Sequence, residues 1–338
     1  MSQLDMFGGP PGSPRRGAIE PAPPDDDVRR LGAALPAGVR LGTSSWSFPG
    51  WAGLVYRGAV TEQALARGGL PAYAAHPLFG TVGVDRTFYA PVTTEVLAGY
   101  AAAVPSSFRF LVKAHEALTL ARFPPHPRYG NLRGQASPQY LDPAYARDAV
   151  IAPYVDGLGA RGGVLLFQFA PQPAEVLAGP GGKPAPRRFA ERLYRFLREL
   201  PPGPRYAVEV RTAELLTPDY AAALRAVDAV PCLALLPGLP PVDVQARLTR
   251  AAEAPALVVR WMLAAHHDYD SALAAYQPFD RLVDPDPRSR TAIASLIRGA
   301  VARGVPATVI VNNKAEGSSP RSIVELAREL VDGDALPF

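Results

Sequence analysis

From residue 39 onward, short runs rich in β-branched and aromatic residues alternate with longer segments whose apolar positions recur at helical spacing. Eight β-type runs can be counted: VRLGTSSW (39–46), GTVGVDRTFY (80–89), FRFLVKAH (108–115), GGVLLFQF (162–169), RYAVEVR (205–211), AVPCLALL (229–236), PALVVRWM (255–262) and PATVIVNN (306–313). Between them lie helical patterns such as TTEVLAGYAAAV, PRRFAERLYRFLREL, TPDYAAALRAV and RSIVELARELV, with Thr, Pro or Ser near their starts. Eight βα units over about 300 residues predict an α/β fold: a single TIM-type (β/α)8 barrel spanning residues 38–338. The competing open, doubly wound sheet would be favoured by a GxGxxG after the first strand, and that fingerprint is absent.

Strands of such a barrel are buried on both faces, so each polar residue inside one needs a reason. Side chains alternate along a strand, and parity therefore says which of them share a face. In RYAVEVR, Ala207, Glu209 and Arg211 share one face; in FRFLVKAH, Leu111, Lys113 and His115 do. Both polar sets fall at the C-terminal ends of their strands. Asp85 in the second strand, Gln168 in the fourth, Arg260 in the seventh, and Asn312, Asn313 and Lys314 at the end of the eighth repeat the pattern. Active sites of this fold lie at the C-terminal mouth, so the convergence marks a candidate site. The competing reading is that Glu209 and Arg211 form a buried ion pair that only fixes the barrel.

Before residue 38 the character changes. Residues 8–36 carry GGPPGSP, PAPPDDD and little periodicity, so residues 1–37 are expected to be a disordered tail. The segment 120–141, ARFPPHPRYGNLRGQASPQY and its flanks, is long and irregular for a barrel connection. It is either a functional loop or lid over one end or a mobile insertion.

Composition narrows the class. With 48% hydrophobic residues the chain can bury a large core, and its net charge of +4 is too small and too dispersed to argue for nucleic acid by itself. Cys232 is the single cysteine, which excludes a disulfide and a Cys-rich metal site and fits a reducing compartment. No secretory signal and no uninterrupted apolar run of membrane-spanning length is present, so a cytoplasmic protein with no membrane partner is expected.

The candidate mouth suggests chemistry. Lys113, Arg211, Arg260 and Lys314 would make a positive pocket for phosphate or carboxylate groups. Glu209 and Asp85 could serve as general base or hold a divalent metal through oxygen ligands, and His115 is a further acid/base or ligand candidate against a plainly structural role. Only Lys113, Lys183 and Lys314 are lysines, and two of them sit at strand ends, where a buried amine can lose its proton. Trp46, Phe48, Trp51 and Tyr56, with Phe88 and Tyr89, could stack on a planar substrate or simply cap the core. HExxH, GxSxG, Walker A and DxDxDG motifs are all absent.

Six ordered motifs carry a family resemblance. LGTSSWSFPGWAGLVY, TVGVDRTFY, FRFLVKAHEALT, GGVLLFQFAPQ, YAVEVR and VIVNNKAEGSSP are similar, over roughly residues 39–332, to the motifs of the YecE-like family, number 72 among the domains of unknown function. The resemblance implies a TIM-type barrel and no established reaction. The chain departs from the family pattern where Gly83 replaces a Glu and Asp85 an Asn, and where RWMLAAHHDYD replaces Arg followed by His-Gly, leaving His266 or His267 to take any histidine role.

The N-terminal QLDMF resembles the peptide by which bacterial replication and repair proteins dock on the DNA polymerase sliding clamp. Gln3 would supply a hydrogen-bonding handle, and Leu4, Met6 and Phe7 would fill an apolar groove. Three functions follow. The first is an enzyme, such as a metal-dependent phosphoesterase or hydrolase, acting on an anionic, phosphate-bearing and nucleic-acid-derived substrate and recruited to the clamp. The second is a small-molecule lyase or isomerase using a Schiff base on Lys113. The third is a non-catalytic adaptor between clamp and nucleic acid.

Overall fold

Each predicted β run overlaps a strand: β1 Val39–Thr43, β2 Phe79–Val84, β3 Arg109–Lys113, β4 Gly162–Phe169, β5 Tyr206–Val210, β6 Val230–Leu235, β7 Leu257–Trp261 and β8 Ala307–Val311; the end of the second run, Arg86–Tyr89, is a short helix instead. The structure is a computed structural model and describes residues 18–171 and 185–333. Neighbouring strands pair in parallel in chain order. β8 closes on β1 in the register Val39↔Ala307 to Thr43↔Val311, so the sheet is a closed barrel. Helices fill the crossovers where the periodicity placed them: Thr94–Ala102, Pro186–Arg198, Pro218–Arg225 and Ser319–Val331.

Two apolar shells hold the barrel. The large outer one lies between strands and helices and includes Val82, Val84, Phe110, Val112, Phe167, Phe169, Val208 and Val210. The inner one fills the barrel with Leu111, Val164, Leu166, Ala207, Val230, Cys232, Val258 and Ile310. Alternation along each strand distributes residues between the two, so the parity read from RYAVEVR and FRFLVKAH is the parity of the folded chain. Gly42 permits close approach of β1 and β2: a Cβ there would lie 1.9 Å from the Thr81 carbonyl oxygen.

The expectation of a structureless stretch up to residue 37 is corrected for its described part. Asp26–Ala34 is a helix capped by Asp25, whose Oδ1 accepts from Val28 N at 2.7 Å. The run of aspartates read as part of the tail instead places a cap and two acids at the positive end of a helix. Val28 and Leu31 are buried, and Asp27–Arg328 and Arg30–Asp332 pairs tie this helix to the C-terminal one. The QLDMF peptide, with Gln3, Leu4, Met6 and Phe7, lies outside the described residues.

The irregular segment after β3 is a folded excursion. Phe123 N donates to Gln135 O and Gly134 N to Phe123 O, both at 2.9 Å, while Leu120 and Phe123 pack with Ala117 in a small cluster of their own. Among the described residues, no helix is long and apolar enough to cross a membrane.

Candidate functional site

One step beyond the inner apolar shell, each strand turns its next inward residue toward the C-terminal mouth. These are Ser44, Asp85, Lys113, Gln168, Glu209, Ala234, Arg260 and Asn312. Asn312 Nδ2 donates to Ser44 Oγ at 2.8 Å, joining the layer across the β8–β1 seam.

On the β4–β5–β7 side the polar groups satisfy one another. Glu209 is 0% exposed and Arg260 1%. Glu209 Oε1 accepts from Arg211 Nε at 2.8 Å, and its Oε2 accepts from Arg260 Nη1. Gln168 Oε1 receives both guanidinium groups, Arg260 Nη1 at 2.9 Å and Arg211 Nη2 at 3.0 Å. Burial alone would raise the Glu209 carboxyl, yet the two arginines outweigh it and hold it at about 2. Glu209 is therefore a fixed anion that aims two guanidinium forks.

Lys113 stands in the same layer with a different balance. Its Nζ lies 3.0 Å from Asp85 Oδ1 and 5.0 Å from the Phe88 ring centroid. Burial pushes the ammonium down to about 8, with Asp85 opposing and Arg260 and Arg211 assisting. Gly83, where the family pattern has Glu, offers little room: a Cβ there would lie 3.1 Å from the Ser44 carbonyl oxygen. The carboxylate that meets Lys113 comes instead from Asp85, two residues along the same face.

The rim above this layer holds residues that strand parity did not reveal. Glu116, buried just after β3, accepts from Arg128 Nη2 and, at 3.0 Å, from Tyr129 Oη; burial raises its carboxyl. Arg128 also lies over the Tyr89 ring, 5.0 Å from its centroid. The irregular 120–141 segment thus brings a cation to the mouth, and the Arg-Tyr pair inside it was the available signal. Lys314 Nζ sits 4.0 Å from the centroid of Tyr269, a ring that is 58% exposed. Among the described residues no carboxylate lies within 4 Å of Lys314 Nζ.

The remaining predicted residues divide. His115 follows Lys113 at the next level and its Nδ1 pairs with Tyr145 Oη at 2.7 Å; burial lowers its proton affinity. Asn313 has the opposite parity, and its Oδ1 takes Trp51 Nε1, Ser319 N and Ser319 Oγ, which commits it to packing outside the barrel. Trp46 is buried in the outer shell with Nε1 donating to Leu65 O at 3.1 Å, and Trp51 and Tyr56 are buried too, so these rings cap the core. Asp85 and Glu209, the carboxylates expected as possible metal ligands, each face cationic side chains: Asp85 faces Lys113, and Glu209 faces Arg211 and Arg260. The metal-compatible cluster found among the described residues is His266, His267 and Asp284, on the rim.

A family model described as "Protein of unknown function DUF72" matches residues 40–336. Among solved structures, a DUF72 family protein from Thermotoga maritima is 18% identical with a TM-score of 0.56, over 86% of this chain and 98% of that one. One from Enterococcus faecalis is 14% identical with a TM-score of 0.53, over 87% and 97%. At such identities the likeness concerns the fold. No curated protein matches the chain.

Proposed function

Because the chain belongs to the DUF72 family, whose membership carries a barrel but no reaction, we propose the function from the mouth itself: an enzyme acting on an anionic, phosphate-bearing substrate. The observation that carries this reading is Lys113, an amine at a strand end held at about 8 beside Asp85. A general acid or base works best when its proton affinity lies near the working pH, and Lys113 meets that condition while Glu209, at about 2, does not. Lys113 would give its proton to the oxygen released as water adds to the phosphorus, Asp85 would hold the ammonium in place, and solvent would return the proton. Arg211, with a side chain 27% exposed, and Lys314, which has no carboxylate partner among the described residues, would hold the phosphate.

The test is binding and turnover with inorganic phosphate, nucleotides and a panel of abasic, nicked and single-stranded DNAs, with and without divalent metals. Arg211→Gln should weaken binding by about tenfold, the scale of one charge-assisted hydrogen bond. Lys113→Met should abolish turnover while leaving binding. If the whole panel neither binds nor reacts, the reading fails.

A second reading has one observation in its favour, the same Lys113. An amine held at about 8 is about one tenth unprotonated at pH 7, enough to attack a carbonyl and form a Schiff base. Borohydride should then trap a carbonyl substrate on Lys113, and trapping elsewhere or nowhere removes this alternative.

The link to DNA replication or repair rests on QLDMF. We read it as an address for the sliding clamp, with Gln3, Leu4, Met6 and Phe7 as contacts. A pull-down on the clamp should retain the full chain and lose the Leu4→Ala and Phe7→Ala variants; equal retention of all three would refute the address.

A further inference from the structure

Two loops meet on the mouth's rim beyond β7. The first, after Trp261, is pinned where Ala264 N donates to the Lys314 carbonyl at 2.9 Å. The second is pinned where Val283 N, at 2.7 Å, and Asp284 N, at 3.2 Å, donate to the Glu316 carbonyl. Their meeting places three side chains on one point. His266 Nε2 lies 3.1 Å and His267 Nε2 3.3 Å from the same oxygen, Asp284 Oδ2. That oxygen also accepts from Tyr276 Oη at 2.6 Å.

His267 is held from behind as well: its Nδ1 lies 3.0 Å from Ser271 Oγ, which also accepts from Asp268 N at 3.0 Å. With Nδ1 turned to that hydroxyl, Nε2 is the ring atom that faces Asp284 Oδ2, at 3.3 Å. A ring nitrogen aimed at the carboxylate, with the other nitrogen held by an outer partner, is the arrangement a metal ligand needs.

The spacing suits a metal. For ligand atoms about 2.0–2.1 Å from a tetrahedral ion, the separation between ligands is about 3.3 Å, and for an octahedral ion about 2.9 Å. The two nitrogen–oxygen separations, 3.1 and 3.3 Å, lie in that range. The outer contacts are also those of a metal site: Ser271 behind one imidazole and Tyr276, which donates to the ligating oxygen itself, orient the ligands. His266 is 63% exposed at its side chain, which leaves the remaining coordination positions open to solvent.

We propose that His266, His267 and Asp284 bind a divalent transition-metal ion through two Nε2 atoms and one carboxylate, with open positions facing solvent. Two imidazoles and one carboxylate select ions of the zinc, cobalt and iron(II) type over magnesium or calcium, which take oxygen ligands. The site involves none of Lys113, Asp85 or Glu209, so it stands or falls independently of the reading of the mouth.

The test uses the full chain, stripped with a chelator and titrated with Zn2+ by calorimetry and with Co2+ by visible absorption. One equivalent of Zn2+ should bind, and Co2+ should develop ligand-field bands. Asp284→Asn keeps the shape and the Tyr276 contact but loses the charge, and His267→Ala removes a ligand; each should weaken binding more than tenfold. Lys113→Met should leave it unchanged. Circular dichroism and melting temperature show whether each variant is folded, and Asp284→Asn carries the test if His267→Ala is not. Absence of binding near neutral pH overturns the proposal. So would unaltered affinity in folded Asp284→Asn, or tighter binding of Mg2+ than of Zn2+.

Discussion

Replacing Glu209 by Gln changes one atom and removes one charge from a place with no access to water. In the native barrel its two oxygens receive Arg211 Nε and Arg260 Nη1, and the side chain is 0% exposed. The carboxyl is held at about 2 rather than 4.5. At ~1.4 kcal/mol for each tenfold change, that gap corresponds to about 3 kcal/mol of preference for the anion. Breaking a buried pair by removing one partner costs about 3–5 kcal/mol, so the two routes agree. Glutamine presents an NH2 to one of the two guanidinium groups, and Arg260 keeps a buried charge with only Gln168 to receive it. Urea denaturation at pH 7 should therefore show Glu209→Gln less stable by about 3 kcal/mol. A lowered carboxyl stabilises the fold above its unfolded value and loses that contribution as pH falls through the folded one. The deficit of the variant should accordingly shrink as the pH is taken from about 5 toward about 2. A deficit below 1 kcal/mol at pH 7, or one that does not change with acid, would refute the account of Glu209 as a charge anchor.

Three further outcomes can be checked. Lys113 has the opposite sign: its folded value of about 8 lies below the unfolded 10.5. The unfolded chain thus binds more protons between these values, and native stability should rise by up to about 3 kcal/mol across that window; Lys113→Met, measured by denaturation at pH 7 and 10, should lack this rise. Gly42→Ala would put a Cβ 1.9 Å from the Thr81 carbonyl oxygen, so β1 and β2 must part, and thermal melting should show a loss of more than about 2 kcal/mol. Leu31→Ala, in the helix that replaces part of the expected tail, should cost about 2–5 kcal/mol, whereas an unpacked segment would show no change.

The sequence by itself determined what depends on short-range periodicity. Eight β runs separated by helical patterns specified the barrel, and alternation within each run assigned Lys113, Gln168, Glu209, Arg260 and Asn312 to its inner face at one end. Alternation is a property of neighbouring residues, so it survives folding unchanged. It also shows why Asn313, one residue out of step, left the site; Trp46 shares the parity of Ser44 yet lies in the outer shell, because β1 ends at Thr43 and alternation ends with it.

Only the tertiary structure decided how those groups are used. Whether Glu209 is a base or an anchor depends on Arg260, 51 positions away, and on Gln168, and no local pattern encodes that meeting. The same holds for Glu116 with Arg128, for the aspartate run that became a helix cap, and for Asp284 with the histidine pair 18 and 17 positions before it. Closure of the barrel sets which loop ends are neighbours. Desolvation then makes each encounter between charges inside the barrel strong enough to set the role of a residue such as Glu209.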